Sequence, residues 1–276
     1  MAEPALRLTS DVTWENPAPW FGGFSGAEVS DSGEQLTLIS DRGNLVTASL
    51  IRTSGELTAV KLIKRIVLKD AKGRKLKGGN NDNQSDSEGL AISNSGAAYV
   101  SFERHSRVAR LDLQNGITTP LPDHPDFAGF EINKGPEALA VHPDGTLYTL
   151  PERSSSKSTP FPLFAFSDDR WQITHAIPRR GPFLIVGADF DQVGRLYLLE
   201  RAVSPLGFRS RIRRFDLNEV ALGEVTLLTT GPGVFDNMEA ISVWTDAEGS
   251  TKLTLVSDDN FLSIQRTQIV EFSLDE

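Results

Sequence analysis

The sequence predicts an all-β chain that folds as one β-propeller, with five blades as the favoured number. Three observations lead to this prediction: a β-hairpin unit recurs five times, the recurrence is regular, and no long helical pattern competes with it. Hairpin units that repeat every 40 to 50 or so residues are typical of propeller blades, each of which is a small antiparallel sheet. The 23 Gly and 15 Pro residues, which favour turns over long helices, agree with this fold class.

Each repeat contains an acidic or small residue, a Gly or Ala, an apolar strand, a Gly turn and a second strand that ends at an acid. The first positions of the repeats are Ser25, Glu88, Glu137, Val186 and Glu239. The steps between these positions are therefore 63, 49, 49 and 53 residues. The second strands end at Asp41, Glu103, Glu152, Glu200 and Asp258. We expect the repeats to form a single propeller domain over residues 1–276.

The segments between the hairpins are predicted to add outer strands, because their apolar character alternates. These segments are residues 108–113, 162–166, 212–217 and 269–274. Only 276 − 239 = 37 residues follow the start of the last repeat, which is too few for a full blade. We expect residues 6–10 to complete that blade, so that strands from both ends of the chain close the ring and remove an open sheet edge.

The long first step, from residue 25 to residue 88, leaves a sixth blade open as an alternative. Most of its second half reads differently from the repeats. Residues 69–87 are rich in Lys and Gly and then in Asn, Asp and Ser, which predicts a loop at one end of the ring.

Composition and charge exclude several classes of protein. With 39% hydrophobic and 24% charged residues, the chain is globular rather than disordered. The formal charge of 28 − 37 = −9 argues against a nucleic-acid partner or an anionic membrane surface. No stretch approaches the roughly 18 apolar residues of a membrane span. Residues 1–7 lack the basic start and apolar core of a signal peptide, so we expect none in this chain.

The repeated acids are expected to converge at one mouth of the propeller. The innermost strands of a propeller line a central channel, and the ends of the hairpins meet at one mouth. Equivalent acids in several blades therefore face one another there, although repeat duplication alone is an alternative explanation for the pattern. Several carboxylates in one funnel repel each other unless a cation joins them.

Two sources of positive charge are available to these acids. An Arg directly follows the second-strand acid in four repeats, at Arg42, Arg104, Arg153 and Arg201. Such side chains either clamp the acids structurally or bind an anionic ligand. The other source is a metal ion. Since the chain has no Cys and only 4 His, the metal ligands would be oxygen atoms, which select Ca²⁺ over zinc or copper.

Two further candidates come from local context. His105 follows the acid–Arg pair of the second repeat and is therefore a candidate for substrate binding at the mouth. Residues 23–27 (Gly-Phe-Ser-Gly-Ala) nearly match the G-x-S-x-G pattern of a serine nucleophile. Ser25, however, starts a strand and has no strand-to-helix turn, so we do not predict a serine nucleophile.

Six stretches of the chain together resemble one known family. They are residues 22–26 (Gly-Gly-Phe-Ser-Gly), 39–42 (Ile-Ser-Asp-Arg), 86–91 (Asp-Ser-Glu-Gly-Leu-Ala), 133–140 (Asn-Lys-Gly-Pro-Glu-Ala-Leu-Ala), 236–241 (Asp-Asn-Met-Glu-Ala-Ile) and 256–261 (Val-Ser-Asp-Asp-Asn-Phe). They resemble the phytase-like, "esterase-like activity of phytase", family over nearly the whole chain.

The resemblance implies a β-propeller that is usually exported, and therefore a periplasmic or secreted location. It implies hydrolysis of phosphoesters or other esters only loosely, and it associates the chain with calcium-dependent phytases. The polar residues that match the family are Asp41, Arg42, Glu88, Glu137, Glu239, Asp258, Asp259 and Asn260. The fourth repeat departs from the pattern, because Val186-Gly187 stands where other repeats have Glu-Gly.

Our first hypothesis is a calcium-dependent hydrolase of phosphate esters or related small anionic esters. The predicted metal ligands are Glu88, Glu137, Glu239, Asp41, Asp258, Asp259 and Asn260. The predicted catalytic residues are Glu103 and Glu152, as candidates for the general base, with Arg42, Arg104 and Arg153. The predicted substrate-binding residues are Lys134, Arg201 and His105. The alternative is a non-catalytic propeller that binds a ligand or a protein, in which the acid–Arg pairs hold the blades together.

Overall fold

Five antiparallel sheets of four strands each make up the computed structural model, which describes residues 4–78, 84–129, 135–219 and 221–276. The strands are β1 (Ala5–Thr13), β2 (Phe24–Val29), β3 (Gln35–Ser40), β4 (Asn44–Thr53), β5 (Glu56–Val67), β6 (Ser87–Ile92), β7 (Ala98–Phe102), β8 (Arg107–Leu111), β9 (Thr118–Pro120), β10 (Pro136–Val141), β11 (Leu147–Pro151), β12 (Phe161–Ser167), β13 (Arg170–Ile177), β14 (Leu184–Phe190), β15 (Leu196–Ser204), β16 (Gly207–Phe215), β17 (Val225–Thr229), β18 (Met238–Thr245), β19 (Thr251–Ser257) and β20 (Gln268–Asp275). A short 3-10 helix spans Pro125–Gly129.

The sheets are the blades of a five-bladed propeller, which confirms the predicted fold class. From the channel outwards, their strand orders are β2-β3-β4-β5, β6-β7-β8-β9, β10-β11-β12-β13, β14-β15-β16-β17 and β18-β19-β20-β1. The innermost strands β2, β6, β10, β14 and β18 contact one another around the ring. Among the described residues, no helix is long and apolar enough to cross a membrane.

The ring closes through the two ends of the described chain, as the sequence predicts. Strand β1 pairs antiparallel with β20, from Ala5 opposite Asp275 to Thr13 opposite Gln268. The last blade therefore takes three strands from the C-terminal part and its outermost strand from the N-terminal part. This pairing covers the edge of β20 that the short last repeat would otherwise leave open.

The long first step contains no sixth blade among the residues that the structure describes. Its extra residues lengthen the outer strands β4 and β5, which have 10 and 12 residues, and continue into the connection to the second blade. Leu68 and Leu76 are buried in that connection. Lys69 forms isolated β-bridges with Lys75 and with Ile117. The predicted loop is thus partly anchored to the second blade, while residues 79–83 lie outside the described residues.

The core consists of five apolar clusters, one between each pair of neighbouring blades. Successive side chains of a strand point to opposite faces of the sheet, so each blade supplies both of its neighbours. On β3, for example, Leu38 packs towards the fifth blade and Ile39 towards the second. Full burial of such a side chain is worth about 1.5–3 kcal/mol, and this packing makes the ring a rigid frame for residues at the channel.

Candidate functional site

All five innermost strands carry a β-bulge at the first position of the repeat. The pairing register skips Ser25 in β2, Glu137 in β10 and Glu239 in β18. It also skips Val186 in β14, and the wider irregularity in β6 includes Glu88. A bulge leaves its extra residue out of the ladder and changes the direction of its side chain. The bulge therefore sets the direction of the side chain at the first position of every repeat, and this side chain is an acid in three of the five blades.

The small residue after each bulge has a packing reason. A Cβ atom on Gly26 would lie 2.7 Å from the backbone nitrogen of Leu90, and one on Gly89 would lie 2.6 Å from Cβ of Leu139. Real side chains do not tolerate such distances, so glycine permits the close approach of neighbouring innermost strands. The Gly or Ala of the repeat thus narrows the channel at the level of the acids.

The predicted convergence of the acids is what the structure shows for most of them. Glu88 is electrostatically coupled to Glu137, Glu103 and Glu239, and Asp41 is coupled to Glu239 and to neighbouring aspartates. We call this group the acidic funnel. It comprises Asp41, Asp86, Glu88, Glu103, Glu137, Glu152, Glu239 and Asp258.

Three acids of the funnel are arranged as a metal-binding cluster would be. Asp86, Glu88 and Glu103 each offer a carboxylate oxygen, and these oxygens all lie within 4.8 Å of one another. Asp86 was not among the site residues predicted from the sequence. Its signal was nevertheless present, because Asp86 precedes the repeat acid of its blade by two residues, as Asn237 does in the fifth blade.

Glu137 is the most unusual acid of the funnel. Its side chain is buried, with the residue only 8% exposed, and its Oε2 atom has no hydrogen-bond partner among the described residues. A buried carboxylate without a donor is costly, and proteins normally avoid it or pair it with a cation. The Oδ1 atom of Asp41 is likewise buried without a partner in this part of the structure.

Burial is the main reason why these acids hold their protons tightly. Burial, together with the neighbouring carboxylates, raises the pKa of Asp41 and of Glu103 to about 7 and that of Asp258 to about 8. Burial and then neighbouring carboxylates also raise the pKa of Glu88 and of Glu137 well above the usual range. A bound cation would favour the ionised carboxylates and so lower these pKa values.

Arg201 occupies the side of the funnel where the fourth repeat lacks an acid. Its Nη1 forms an ion pair with Glu239 and donates to Oδ1 of Asn237 at 2.7 Å, and its Nη2 lies 3.3 Å from Oε1 of Glu152. Asn237 also donates to Glu239 at 2.8 Å. Arg201 thus holds two of the acids from opposite sides, and it does so from the blade that has Val186 at the bulge.

Glu200, which stands at the equivalent position to Glu152, does not join the funnel. It is fully buried and accepts hydrogen bonds from Arg211 Nε at 2.6 Å and from Arg213 Nη2 at 2.6 Å. Arg213 is fully buried as well and also pairs with Glu224 at 2.8 Å. This network lies inside the fourth blade and has the properties of a structural ion pair.

The other predicted cations lie around the mouth. The Nε atoms of Arg104 and Arg153 are 3.1 Å and 2.9 Å from carboxylate oxygens of Asp86 and Glu152. Arg42 lies over the ring of Phe261, 3.1 Å from its centroid.

The remaining predicted site residues are less central. His105 is exposed in the turn after Glu103, and Lys134 lies outside the described residues. Asp259 accepts hydrogen bonds from the backbone of Gly23 and Phe261. Asn260 is exposed, and its backbone nitrogen donates to Asp258 at 2.7 Å.

Solved structures share the fold at low sequence identity. The PQQ-bound aldose sugar dehydrogenase of Streptomyces coelicolor is 13% identical, with a TM-score of 0.53 and 96% of this chain and 98% of that chain covered. The α-L-arabinofuranosidase of Podospora anserina, in complex with cellotriose, is 11% identical, with a TM-score of 0.56 and 99% and 97% covered. At these identities the likeness shows the fold alone.

No protein with a curated function matches the sequence significantly. A family profile does match, from residue 19 to residue 261, which includes the acidic funnel, Arg201 and all five bulges. The match covers 261 − 19 + 1 = 243 of the 276 residues. The chain therefore belongs to the phytase-like family described as "esterase-like activity of phytase".

Proposed function

We propose that this propeller is a calcium-dependent hydrolase of phosphate esters or related anionic esters and that its acidic funnel is the active site. One observation carries the proposal: the Oε2 atom of Glu137 is buried without a hydrogen-bond donor among the described residues, beside a cluster of three more carboxyls. Arg201 is a cation near Glu137, but it is already paired with Glu239 and Glu152, so the ionised cluster lacks further positive charge. A bound cation would supply it.

The residues of the funnel suit Ca²⁺. This ion takes 6–8 oxygen ligands at about 2.3–2.6 Å, and carboxylates are its preferred anionic ligands. Oxygens of Asp86, Glu88 and Glu103 within 4.8 Å of one another are close enough to share one such ion, and Glu137 is the next acid of the ring. Bound Ca²⁺ would polarise a phosphoryl oxygen and lower the pKa of an attacking water.

The protein's own side chains would complete the chemistry. Arg201 is fixed by Glu239 and Glu152, so its guanidinium group is preorganised at the wall of the funnel. The side chains of Arg104 and Arg153 are 35% and 52% exposed, and in this proposal they bind the phosphate oxygens that the metal does not contact.

Glu103 and Glu152 are the candidates for the general base. Both stand at the funnel end of a second strand, and whichever of them does not bind the metal would take the proton of the attacking water.

The test is hydrolysis of p-nitrophenyl phosphate and of phytate, in calcium and in chelator. We expect turnover only in calcium and a loss of about 100-fold in kcat/KM for Glu137→Gln, since this change removes a charged ligand but keeps the shape. Glu28→Gln, at the opposite end of the same channel, is the matched control and should keep its activity. Absence of turnover in calcium, or turnover that survives both chelator and Glu137→Gln, would contradict the proposal.

The second candidate function is a non-catalytic binding propeller. It is favoured by the pairs that Arg201 forms with Glu239 and Glu152, because closed acid–Arg pairs can hold blades together without any ligand. In that case calcium would change neither stability nor activity. Arg153→Ala would then lower thermal stability by the same amount in calcium and in chelator.

A further inference from the structure

Exposed large apolar side chains gather beside the funnel in the fourth and fifth blades. We call this group the apolar rim. It consists of Val203 (73% exposed), Leu206 (79%), Val234 (53%), Leu262 (52%) and Ile264 (89%). The other exposed large apolar residues of the described chain are spread over outer strands and turns, as at Leu8, Ile51, Ile63, Ile173 and Val193. Single exposed apolar residues need no explanation, whereas a group at the mouth of a site does.

The three segments that carry the rim are held together. The tip of the β15–β16 hairpin meets the loop before β18, where the Gly233 nitrogen donates to the Phe208 carbonyl at 2.8 Å. Asp236 in that loop accepts hydrogen bonds from the side chain of Gln265 at 3.2 Å and from the backbone of Arg266 at 3.0 Å. The rim is therefore one built surface rather than three independent loops.

The rim continues directly from the wall of the funnel. Strands β15 and β16 run on as a two-stranded hairpin past Leu184, the first residue of β14, which pairs with Arg201. Because side chains alternate along a strand, Val203 lies on the same face of β15 as Arg201, two residues further out. On the fifth blade, Phe261 precedes Leu262 and lies against the backbone beside Asp41, where a Cβ on Gly23 would be 2.6 Å from its ring.

We propose that the apolar rim binds the hydrocarbon part of an amphiphilic ester whose anionic group enters the funnel. The inference rests on the proposed function for the reacting group and adds the substrate class. A small molecule suits the rim better than a protein does. Protein interfaces bury about 800 Å² and 20–30 residues on each side, whereas the rim offers five apolar side chains next to a charged funnel.

The test is a series of alkyl p-nitrophenyl phosphates, from methyl to octyl, below their micelle concentrations. Hydrolysis forms a P–O bond from water, releases p-nitrophenolate and leaves the alkyl phosphate. In calcium, we expect KM to fall about two- to fourfold for each added methylene, as for hydrocarbon moved out of water. The quadruple variant V203S/L206S/L262S/I264S should lose this dependence and keep the kcat of the methyl ester. The matched control is I173S/V193S, which removes equally exposed side chains elsewhere and should keep the dependence.

Binding of octyl and butyl phosphate, followed by calorimetry in calcium, separates this inference from the proposed function. Tighter binding of octyl phosphate by wild type, lost in the quadruple variant, supports the rim even when no ester is hydrolysed, and only the hydrolase proposal then fails. Turnover that is independent of chain length overturns the rim and leaves the hydrolase standing. Self-association of the wild type that the quadruple variant abolishes, together with no effect of chain length, also overturns it, because a second copy then covers the rim.

Discussion

The two ends of the channel both carry buried acids, and they differ in what surrounds the carboxyl groups. At the turn end of the innermost strands, Glu28 accepts the Ile92 N–H at 3.0 Å, and Asp189 accepts the Val243 N–H at 2.5 Å. In the acidic funnel, the Oε2 atom of Glu137 meets no donor among the described residues. Burial and a raised pKa are thus common to both ends of the channel, whereas buried carboxyl oxygens without a donor occur, among the described residues, only in the funnel.

The turn-end acids, Glu28 and Asp189, connect blades to one another. Glu28 belongs to the first blade and accepts from Ile92 of the second, while Ser242 of the fifth blade donates to it at 3.4 Å. Asp189 of the fourth blade accepts from Val243 of the fifth. They stand at a cavity of about 360 Å³ among the turns. Their donors come from neighbouring innermost strands, so these acids satisfy strand edges that would otherwise be unpaired.

The largest expected effect is a loss of stability when a turn-end acid, and not a funnel acid, is replaced. Asp189→Ala leaves the N–H groups of Val243 and Phe190 without their acceptor, and we expect it to lower the free energy of unfolding by about 2–5 kcal/mol. Glu137→Ala in chelator should cost less than about 1 kcal/mol, because it removes no donor's partner. Urea denaturation measures both values. Equal losses would mean that the funnel acids are structural too.

Calcium should act on one end of the channel only. At a concentration 100 times its Kd, an ion that binds only the folded state adds about 2.7 kcal/mol, which corresponds to roughly 5–10 °C in Tm for a chain of this size. We expect this rise for wild type and for Glu28→Gln, and its loss for Glu137→Gln. A melting curve in calcium and in chelator measures it. A rise that persists in Glu137→Gln would place the ion elsewhere.

The stability of the protein should depend on pH through Glu28 at the turn end. Burial, and then Asp189, raises the pKa of Glu28 well above its usual range, so the folded chain keeps a proton that the unfolded chain loses above about pH 4.3. The stability of wild type should therefore fall as the pH rises from 4.3 through the folded-state pKa.

Replacing Glu28 should remove its part of this fall. Between pH 5 and 8 in chelator, we expect Glu28→Gln to gain stability relative to wild type, because glutamine has no proton that folding must retain. Urea midpoints at the two pH values measure the difference. Glu56→Gln, at an exposed position, is the control and should follow wild type. An unchanged slope in Glu28→Gln would show that Glu28 is ionised in the folded state.

The smallest expected effect concerns Arg153 at the mouth of the funnel. Arg153 is half exposed and pairs with Glu152 at 2.9 Å, and exposed ion pairs contribute less than about 1 kcal/mol. Arg153→Ala should therefore leave Tm nearly unchanged while it raises KM for anionic esters, which steady-state kinetics measures. A clear fall in Tm with no change in KM would favour the binding propeller in which acid–Arg pairs hold the blades.

Local pattern was sufficient to find the blades and most of the funnel. The hairpin repeat, the Gly turns and the alternating third strands predicted five sheets, and the short last repeat predicted the role of residues 6–10 in closing the ring. Glu88, Glu137 and Glu239 were found because an acid recurs at the first position of three repeats, which is the position of the bulge in the structure. Such features depend on neighbours within one hairpin, which a sequence displays directly.

Other residues depended on side-chain contacts between paired strands or between blades. Glu200 and Arg201 follow the same acid–Arg pattern as Glu152 and Arg153, yet Glu200 turns into its own blade and Arg201 crosses the funnel. The reason is that Arg211 and Arg213, on the paired strand β16, bind the Glu200 carboxylate, whereas Arg201 pairs with Glu239 and Glu152 of the neighbouring blades. Asp86 was missed because its closeness to Glu103 arises only when β6 and β7 are paired.

The sequence by itself determined the class of the fold and the position in the repeat from which acids reach the channel, because these properties recur along the chain and are local to a hairpin. It favoured five blades and left a sixth open. Only the tertiary structure decided which carboxyls have donors. Whether a carboxyl oxygen accepts hydrogen bonds, as those of Asp189 do, or has no donor among the described residues, as Oε2 of Glu137 has none, depends on the N–H groups and cations that neighbouring blades bring to it. The positions of these groups are set by closure of the ring, which no single repeat encodes.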